Sequence, residues 1–250
     1  MVRVAWDGHD GGADGGSGVL VVTLDRPARR NAVDHATLLG LLAAQREAAA
    51  ARVLVLTGAP PAFSAGADLT GVEEGEFAAA LGAVLRGFGE LPIPTIAAID
   101  GPALGAGTQL AIACDLRVAT PGSRLGIPAA RLGLVVDHWT VERLTREVGW
   151  PIARAMLVAA EQYDAAALHA AGAIHRLGDL DAALAWAREL ATTMAPLTMA
   201  GHKLALERSG PPPTPDAAVE AARLAAWAST DAVEGRTAFL EKRAARFTGR

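Results

Sequence analysis

Gly105 and Gly107 stand at the start of an apolar, alanine-rich run that continues to Ala113, and this is where chemistry first shows in the chain. Backbone N–H groups in the first turn of a helix have no partner inside it. A glycine turn that opens a helix therefore suits an anion, or a carbonyl oxygen that is gaining negative charge. Taken alone, the same turn is better read as one that only lets a helix pack closely on a strand. A second segment some forty residues earlier changes the balance. There Phe63-Ser64-Ala65-Gly66-Ala67-Asp68-Leu69 follows the short apolar run Arg52–Gly58, again a strand that leads into a tight turn. Two such segments can bring two N–H donors to one oxygen.

Elements of a definite kind must position these turns. Ile96–Ile99 is short, apolar and bounded by Pro94 and Gly101, which reads as a buried strand followed by the turn Asp100-Gly101-Pro102. Strands near 19–24, 53–57, 95–99 and 115–119 alternate with helical stretches, the pattern of βαβ units. Val2–Trp6 and Gly18–Leu24 form a further strand pair. The acidic, glycine-rich run between them, Asp7 to Gly16, lacks the ligand order of an EF-hand and reads as a disordered, solvated tip. Asp34 is placed to cap a helix, and a further helix is expected within Gly71–Glu90. Asp115 directly precedes a strand and reads as a structural hydrogen-bonding group. After Gly149 the pattern becomes helical to the end, punctuated by Pro151, Gly172, Gly178, Pro196 and Pro211-Pro212-Pro213.

Composition narrows the function classes. At 250 residues the chain is long enough for one large domain. A net charge of −4 provides no basic footprint for nucleic acid. Half the residues are hydrophobic, yet no apolar run approaches a membrane span, and the first residues lack the basic region plus apolar segment expected of a signal peptide. Cys114 is the only cysteine, which fits a reduced, cytoplasmic location and rules out an intrachain disulfide. His9, His35, His169, His175 and His202 show no metal-ligand spacing, so no metal centre is expected.

The pair Phe63–Asp68 and Asp100–Gly107 resembles the two signature segments of the crotonase family, the enoyl-CoA hydratases and isomerases, which read approximately Phe-x-Ala-Gly-Ala-Asp and Asn-Gly-x-Ala-x-Gly-Gly-Gly. The resemblance continues through Ala113–Ala119 and into Phe239-Leu240-Glu241-Lys242-Arg243. It implies an α/β fold: a crotonase-like spiral of ββα units over residues 1–195, then a helical C-terminal trimerisation region over 196–250. It implies an acyl-CoA thioester as ligand, with no separate cofactor, and a homotrimer or dimer of trimers. By residue matching, the oxyanion hole falls on the N–H groups of Ala67 and Ala106. Coenzyme A contacts fall on Arg26, Ala28, Arg29, Ala65, Asp68 and Leu69, with Arg30 a further phosphate candidate. Phe239 and Lys242 match positions that reach the nucleotide across a subunit boundary. The helix within Gly71–Glu90 would shape the acyl pocket.

Where family hydratases carry two catalytic glutamates, this chain has Gln109 and Ala129. A carboxamide can hold a water but is no carboxylate base, and alanine does neither. Acid–base groups contribute roughly 10²–10⁴-fold in rate, so hydratase chemistry should be nearly lost. Asp137, in Asp137-His138-Trp139, lies near positions where other family members place a catalytic aspartate, and it also stands where it would cap the helix that follows. Thr70 replaces a basic residue common in the family. The same departures resemble a bacterial subset that lacks the usual glutamates. Three readings follow: a thioester-binding protein of fatty-acid metabolism with an unidentified protein partner, an isomerase or hydrolase that uses Asp137, and a weak enoyl-CoA hydratase.

Overall fold

A computed structural model of the chain describes residues 1–7, 18–70, 74–209 and 217–248. Most of the expected disordered tip, the first residues of the segment expected to shape an acyl pocket, and the triple proline lie outside the described residues. The chain forms two compact units, Met1–Leu125 with Asp164–Gly210, and Gly126–Tyr163 with Pro211–Arg250.

The strands in chain order are β1 (Val2–Asp7), β2 (Val19–Leu24), β3 (Val53–Gly58), β4 (Thr95–Ile99), β5 (Ala103–Leu104), β6 (Leu116–Ala119), β7 (Arg124–Gly126), β8 (Tyr163–Asp164) and β9 (Arg176–Leu177). In the first unit six of them form one sheet in the order β1-β2-β3-β4-β6-β9. β1 runs antiparallel to β2, with Val2 opposite Leu24. The remaining pairs are parallel, with Val19 opposite Val53, Leu54 opposite Thr95, and Ile96 opposite Leu116. Parallel strands are covered on both faces and so read as continuous apolar runs. β3 and β4 obey this rule: Val53–Thr57 and Thr95–Ile99 are buried throughout.

The expectation that the chain is helical after Gly149 is corrected by β9. Arg176 and Leu177 pair with Val118 and Ala119 and extend the sheet. His175 N–H donates to the Arg117 carbonyl at 3.0 Å and Gly178 N–H to that of Ala119 at 2.9 Å. A two-residue strand held by backbone bonds leaves no periodicity to read.

Helices α1 (His35–Glu47), α2 (Glu74–Glu90), α3 (Ala106–Ala113), α4 (His138–Val158), α5 (Ala165–Ala170), α6 (Leu180–Thr193), α7 (Pro196–Glu207), α8 (Ala217–Trp227) and α9 (Thr230–Leu240) complete the described elements. Asp34 caps α1 as expected, its Oδ1 accepting from Thr37 N–H at 2.8 Å. On α6, Ala183, Ala187 and Ala191 recur every fourth residue and rest on Val19, Val53, Val55, Ile96 and Val118. Small side chains at this spacing let the helix approach the sheet closely.

α7 is fixed differently. Lys203 is its only buried residue. The Lys203 ammonium donates to the carbonyls of Phe88 (2.7 Å) and Ile93 (2.9 Å) and to Asp115 Oδ2 (2.8 Å). The same Asp115 oxygen accepts from Thr95 N–H (2.7 Å) and Thr95 Oγ1 (2.8 Å). Asp115 thus has the structural role its position before a strand implied.

In the second unit, a 3-10 turn at Pro128–Leu132 precedes α4, which runs through Gly149 (φ 77°, ψ 158°) with a kink. Gly133 and Gly235 allow α9 to lie against that turn. A Cβ on Gly235 would stand 2.5 Å from the Leu132 backbone, and one on Gly133 2.7 Å from Asp231.

Candidate functional site

Three backbone segments lie side by side in the first unit. Val33 N–H donates to the Gly66 carbonyl (2.7 Å), and Asp68 N–H returns a bond to the Val33 carbonyl (2.8 Å). Ser64 N–H donates to the Pro102 carbonyl (3.0 Å), and Leu104 N–H to the Ser64 carbonyl (2.9 Å). Both are parallel bridges, Val33 with Ala67 and Ser64 with Ala103. In such a bridge the groups flanking Ala67 make the bonds, so the N–H of Ala67 itself is left over. Ala106 is the first residue of α3, where N–H groups lack intrahelical acceptors.

Two glycines allow the turns to meet. Gly66 has φ +103°, and a Cβ there would stand 2.7 Å from the Leu104 carbonyl oxygen and 3.6 Å from Ala106 N. A Cβ on Gly107 would lie 2.5 Å from the Ser64 carbonyl oxygen. Any side chain at either position separates the two turns. Glycine-rich spacing in both segments was therefore a signal of close backbone approach.

Two polar residues that sequence reasoning did not single out hold this arrangement. Asn31 is buried in a left-handed conformation (φ 55°) and donates to the carbonyls of Ala59 and Ala62, both at 2.6 Å. Its Oδ1 accepts from Arg26 N–H at 2.9 Å. Ser64 Oγ donates to the Asn31 carbonyl (2.8 Å) and accepts from Gly66 N–H (3.3 Å). Asparagine tolerates positive φ better than most residues, and that is the one hint Asn31 offered.

The basic residues expected near a nucleotide are unequally placed. Arg26 Nη2 lies 3.0 Å from both Asp34 Oδ2 and Asp68 Oδ2, and its Nη1 donates to the Ala32 carbonyl. Arg26 thus braces the turn around Asp68 rather than presenting a free cation. Arg29 is more open, with Nη2 3.4 Å from Thr70 Oγ1. Arg30 and Ala28 are exposed, as is Ala65, while Leu69 is half-buried. Burial alone would raise the Asp68 pKa. Hydrogen bonds from Thr70 and Arg26, with the charge of Arg29, outweigh it and hold the carboxyl below its usual range.

Gln109 follows Ala106 on the buried face of α3 and is 6% exposed. Ala67, Ala106, Gln109, Arg26, Arg29 and Asp68 all belong to the first unit; Ala129, Asp137, Phe239 and Lys242 belong to the second. Ala129 is half-buried in the 3-10 turn, where its carbonyl accepts from Leu134 N–H at 3.0 Å. Phe239 is 62% exposed on α9, and Lys242 is exposed just beyond it with φ 54°. Among the described residues no group of three or more His, Cys, Asp or Glu is gathered as for a metal, and no helix is long and apolar enough to cross a membrane.

Asp137 is the N-cap of α4. Its Oδ1 accepts from Thr140 N–H at 3.3 Å and from the Thr140 hydroxyl. Asparagine caps about as well as aspartate. Asp137→Asn is therefore expected to shift stability by less than about 0.5 kcal/mol and to leave ligand affinity unchanged. Urea titration and calorimetry check this; a lost thioester turnover with intact binding would return Asp137 to catalysis.

His175 Nδ1 accepts from Arg117 N–H at 3.1 Å, and its ring lies 6.4 Å from that of Trp186. Burial, helped by the Arg117 charge, pushes its pKa down from 6.5 to about 4. The unfolded chain takes up a proton near pH 6.5 that the folded chain refuses until about pH 4. This contribution to stability is complete above pH 6.5 and is lost as pH falls toward 4. Denaturation midpoints over that window are expected to fall more steeply for wild type than for His175→Gln, with parallel curves as the contrary result.

Comparison with known proteins adds a separate line. The Enoyl-CoA hydratase/isomerase family model matches residues 14–250. The probable enoyl-CoA hydratase echA6 of Mycobacterium tuberculosis (strain CDC 1551 / Oshkosh) is 40% identical over 242 residues, covering 92% of this chain and 96% of that one. The 2,3-dehydroadipyl-CoA hydratase of Escherichia coli (strain K12) is 37% identical over 248 residues, covering 93% and 96%. Among solved structures, methylmalonyl-CoA decarboxylase complexed with 2S-carboxypropyl-CoA superposes with a TM-score of 0.87 over 100% of this chain and 98% of that one, at 24% identity. That last likeness establishes the crotonase-type fold.

Proposed function

We propose, from the premise that the chain belongs to the enoyl-CoA hydratase/isomerase family, that it binds acyl-CoA thioesters of fatty-acid metabolism but has lost the acid–base pair of a hydratase. The observation that carries this reading is the meeting of two glycine turns at Gly66 and Gly107, each followed or preceded by an amide outside the local ladder, beside a buried carboxamide at Gln109. The amides of Ala67 and Ala106 serve as a two-donor oxyanion hole for the thioester carbonyl. Two fixed donors in a dry site stabilise a developing oxyanion by several kcal/mol. At the positions of the missing glutamates, Gln109 orients a water or the acyl group and Ala129 contributes no proton transfer. The relatives' names include hydratases; this chain departs from that activity through those two residues.

Coenzyme A is assigned to the exposed face of the Arg26–Arg29 turn, with Ala28, Ala65, Asp68 and Leu69 alongside. Arg29 supplies the more accessible charge there, since Arg26 is already paired with two carboxylates. Phe239 and Lys242 are assigned to the nucleotide of a neighbouring protomer in a trimer or dimer of trimers. Sedimentation at micromolar protein is expected to show three or six copies; a clean monomer would remove the cross-subunit assignment. Calorimetry with butyryl-CoA and with free coenzyme A tests binding, and absence of heat with any acyl-CoA would end the proposal.

A further inference from the structure

α3 is held from both ends, and only its first turn takes part in the thioester reading. At the far end stands Arg117 of β6, 2% exposed. Its Nη1 donates to the carbonyls of Cys114 (2.9 Å) and Ala111 (3.3 Å), and its Nε to that of Ala173 (2.7 Å). Ala111 lies in the last turn of α3 and Cys114 is its C-cap. Carbonyls there lack intrahelical partners, and a cation is favoured beside them. A planar guanidinium that spans two segments fixes distance and direction together, which a lysine's point charge does not.

Between that clamp and Ala106 runs a helix of eight residues, about 12 Å long. At the near end Gly107 backs directly onto the Ser64 carbonyl, leaving no room for a side chain. An axial shift of α3 therefore moves the Ala106 amide relative to Ala67. Catalytic and binding amides must be held to within about 0.5 Å to act together.

We infer that Arg117 is a positioning residue for the Ala106 amide: through α3 it sets the spacing of the two donors and so the preference for a ligand that carries a thioester carbonyl. The inference rests on the oxyanion reading of Ala67 and Ala106. The Nε bond to the Ala173 carbonyl ties the same guanidinium to the segment that leads into β9, so the clamp on α3 is itself braced.

The test compares butyryl-CoA with its thioether analogue S-butyl-CoA, which lacks the carbonyl oxygen, by calorimetry on the full chain. Wild type is expected to prefer the thioester by about tenfold, the worth of one or two net hydrogen bonds. In Arg117→Lys that preference should fall to within about threefold, with thioether affinity retained. The infrared carbonyl stretch of bound ¹³C-labelled thioester should move back toward its value in water. A purely structural loss would lower the melting temperature without changing the ratio of the two affinities. No preference in wild type would refute the oxyanion reading, and this inference with it. A wild-type preference kept by folded Arg117→Lys would overturn the inference alone. Should Arg117→Lys not fold, Arg117→Gln, which keeps one donor group and no charge, decides by the same ratio: a reduced preference supports the anchor, and an unchanged one overturns it.

Discussion

Hydration of crotonyl-CoA by the wild-type protein is expected to stay near background, while the double variant Gln109→Glu, Ala129→Glu is expected to raise it by about ten- to a hundredfold. On the proposed reading, the amides of Ala67 and Ala106 stabilise charge on the carbonyl, but addition of water also needs one group to take a proton and another to return one. Each such group contributes roughly 10²–10⁴-fold. Gln109→Glu alone should change the rate by less than about threefold, because one carboxylate does not both orient and activate the water. Full recovery is not expected, since catalytic carboxylates need second-layer partners that hold them to a fraction of an ångström. Loss of enoyl absorbance follows the reaction, with butyryl-CoA calorimetry alongside. A wild-type rate near the 10 s⁻¹ typical of enzymes would refute the loss of hydratase chemistry while leaving the binding site intact.

Lys203→Met is expected to cost about 3–5 kcal/mol of folding stability. Methionine keeps much of the side-chain bulk, so the change isolates the charge. It leaves the Asp115 carboxylate without its cation and the Phe88 and Ile93 carbonyls without a donor. Breaking a buried pair from one side is costly because the remaining charge stays desolvated. Against a usual total of 5–15 kcal/mol this is a large fraction, and the melting temperature of a chain this long should fall by about 6–20 °C. Denaturant unfolding of both proteins measures it. An unchanged midpoint would show that water reaches Asp115 well enough to replace the ammonium.

Much of this architecture was legible in the residues. The apolar runs at Val53–Thr57 and Thr95–Ile99 declared buried parallel strands, and Asp34 and Asp137 stood where caps are needed. The two glycine turns were visible because close backbone approach restricts residue type severely. Other parts left no such mark. β9 is held by backbone bonds that any residue pair makes. Lys203 looks like a solvated lysine on an amphipathic helix, and only the carbonyls of Phe88 and Ile93, more than a hundred residues away in sequence, explain its burial. Arg26 was read for its charge, but that charge is spent on Asp34 and Asp68, a pairing of residues up to 42 positions apart. Local pattern reports what a residue is; who meets it is decided by the fold.

The burial of Lys203 has a practical corollary for labelling chemistry. Lys203 and Lys242 are the chain's two lysines, and only Lys242 is exposed. An acylating reagent such as an N-hydroxysuccinimide ester attacks unprotonated amines that it can reach. In the native protein it finds Lys242 and the amino terminus, while the ammonium of Lys203 is occupied by three acceptors. Among side chains, surface coupling therefore modifies one, close to the end of α9. A second modified side chain then marks each molecule that has opened, so the mass spectrum of the labelled product reports the fraction of molecules that have opened at least once.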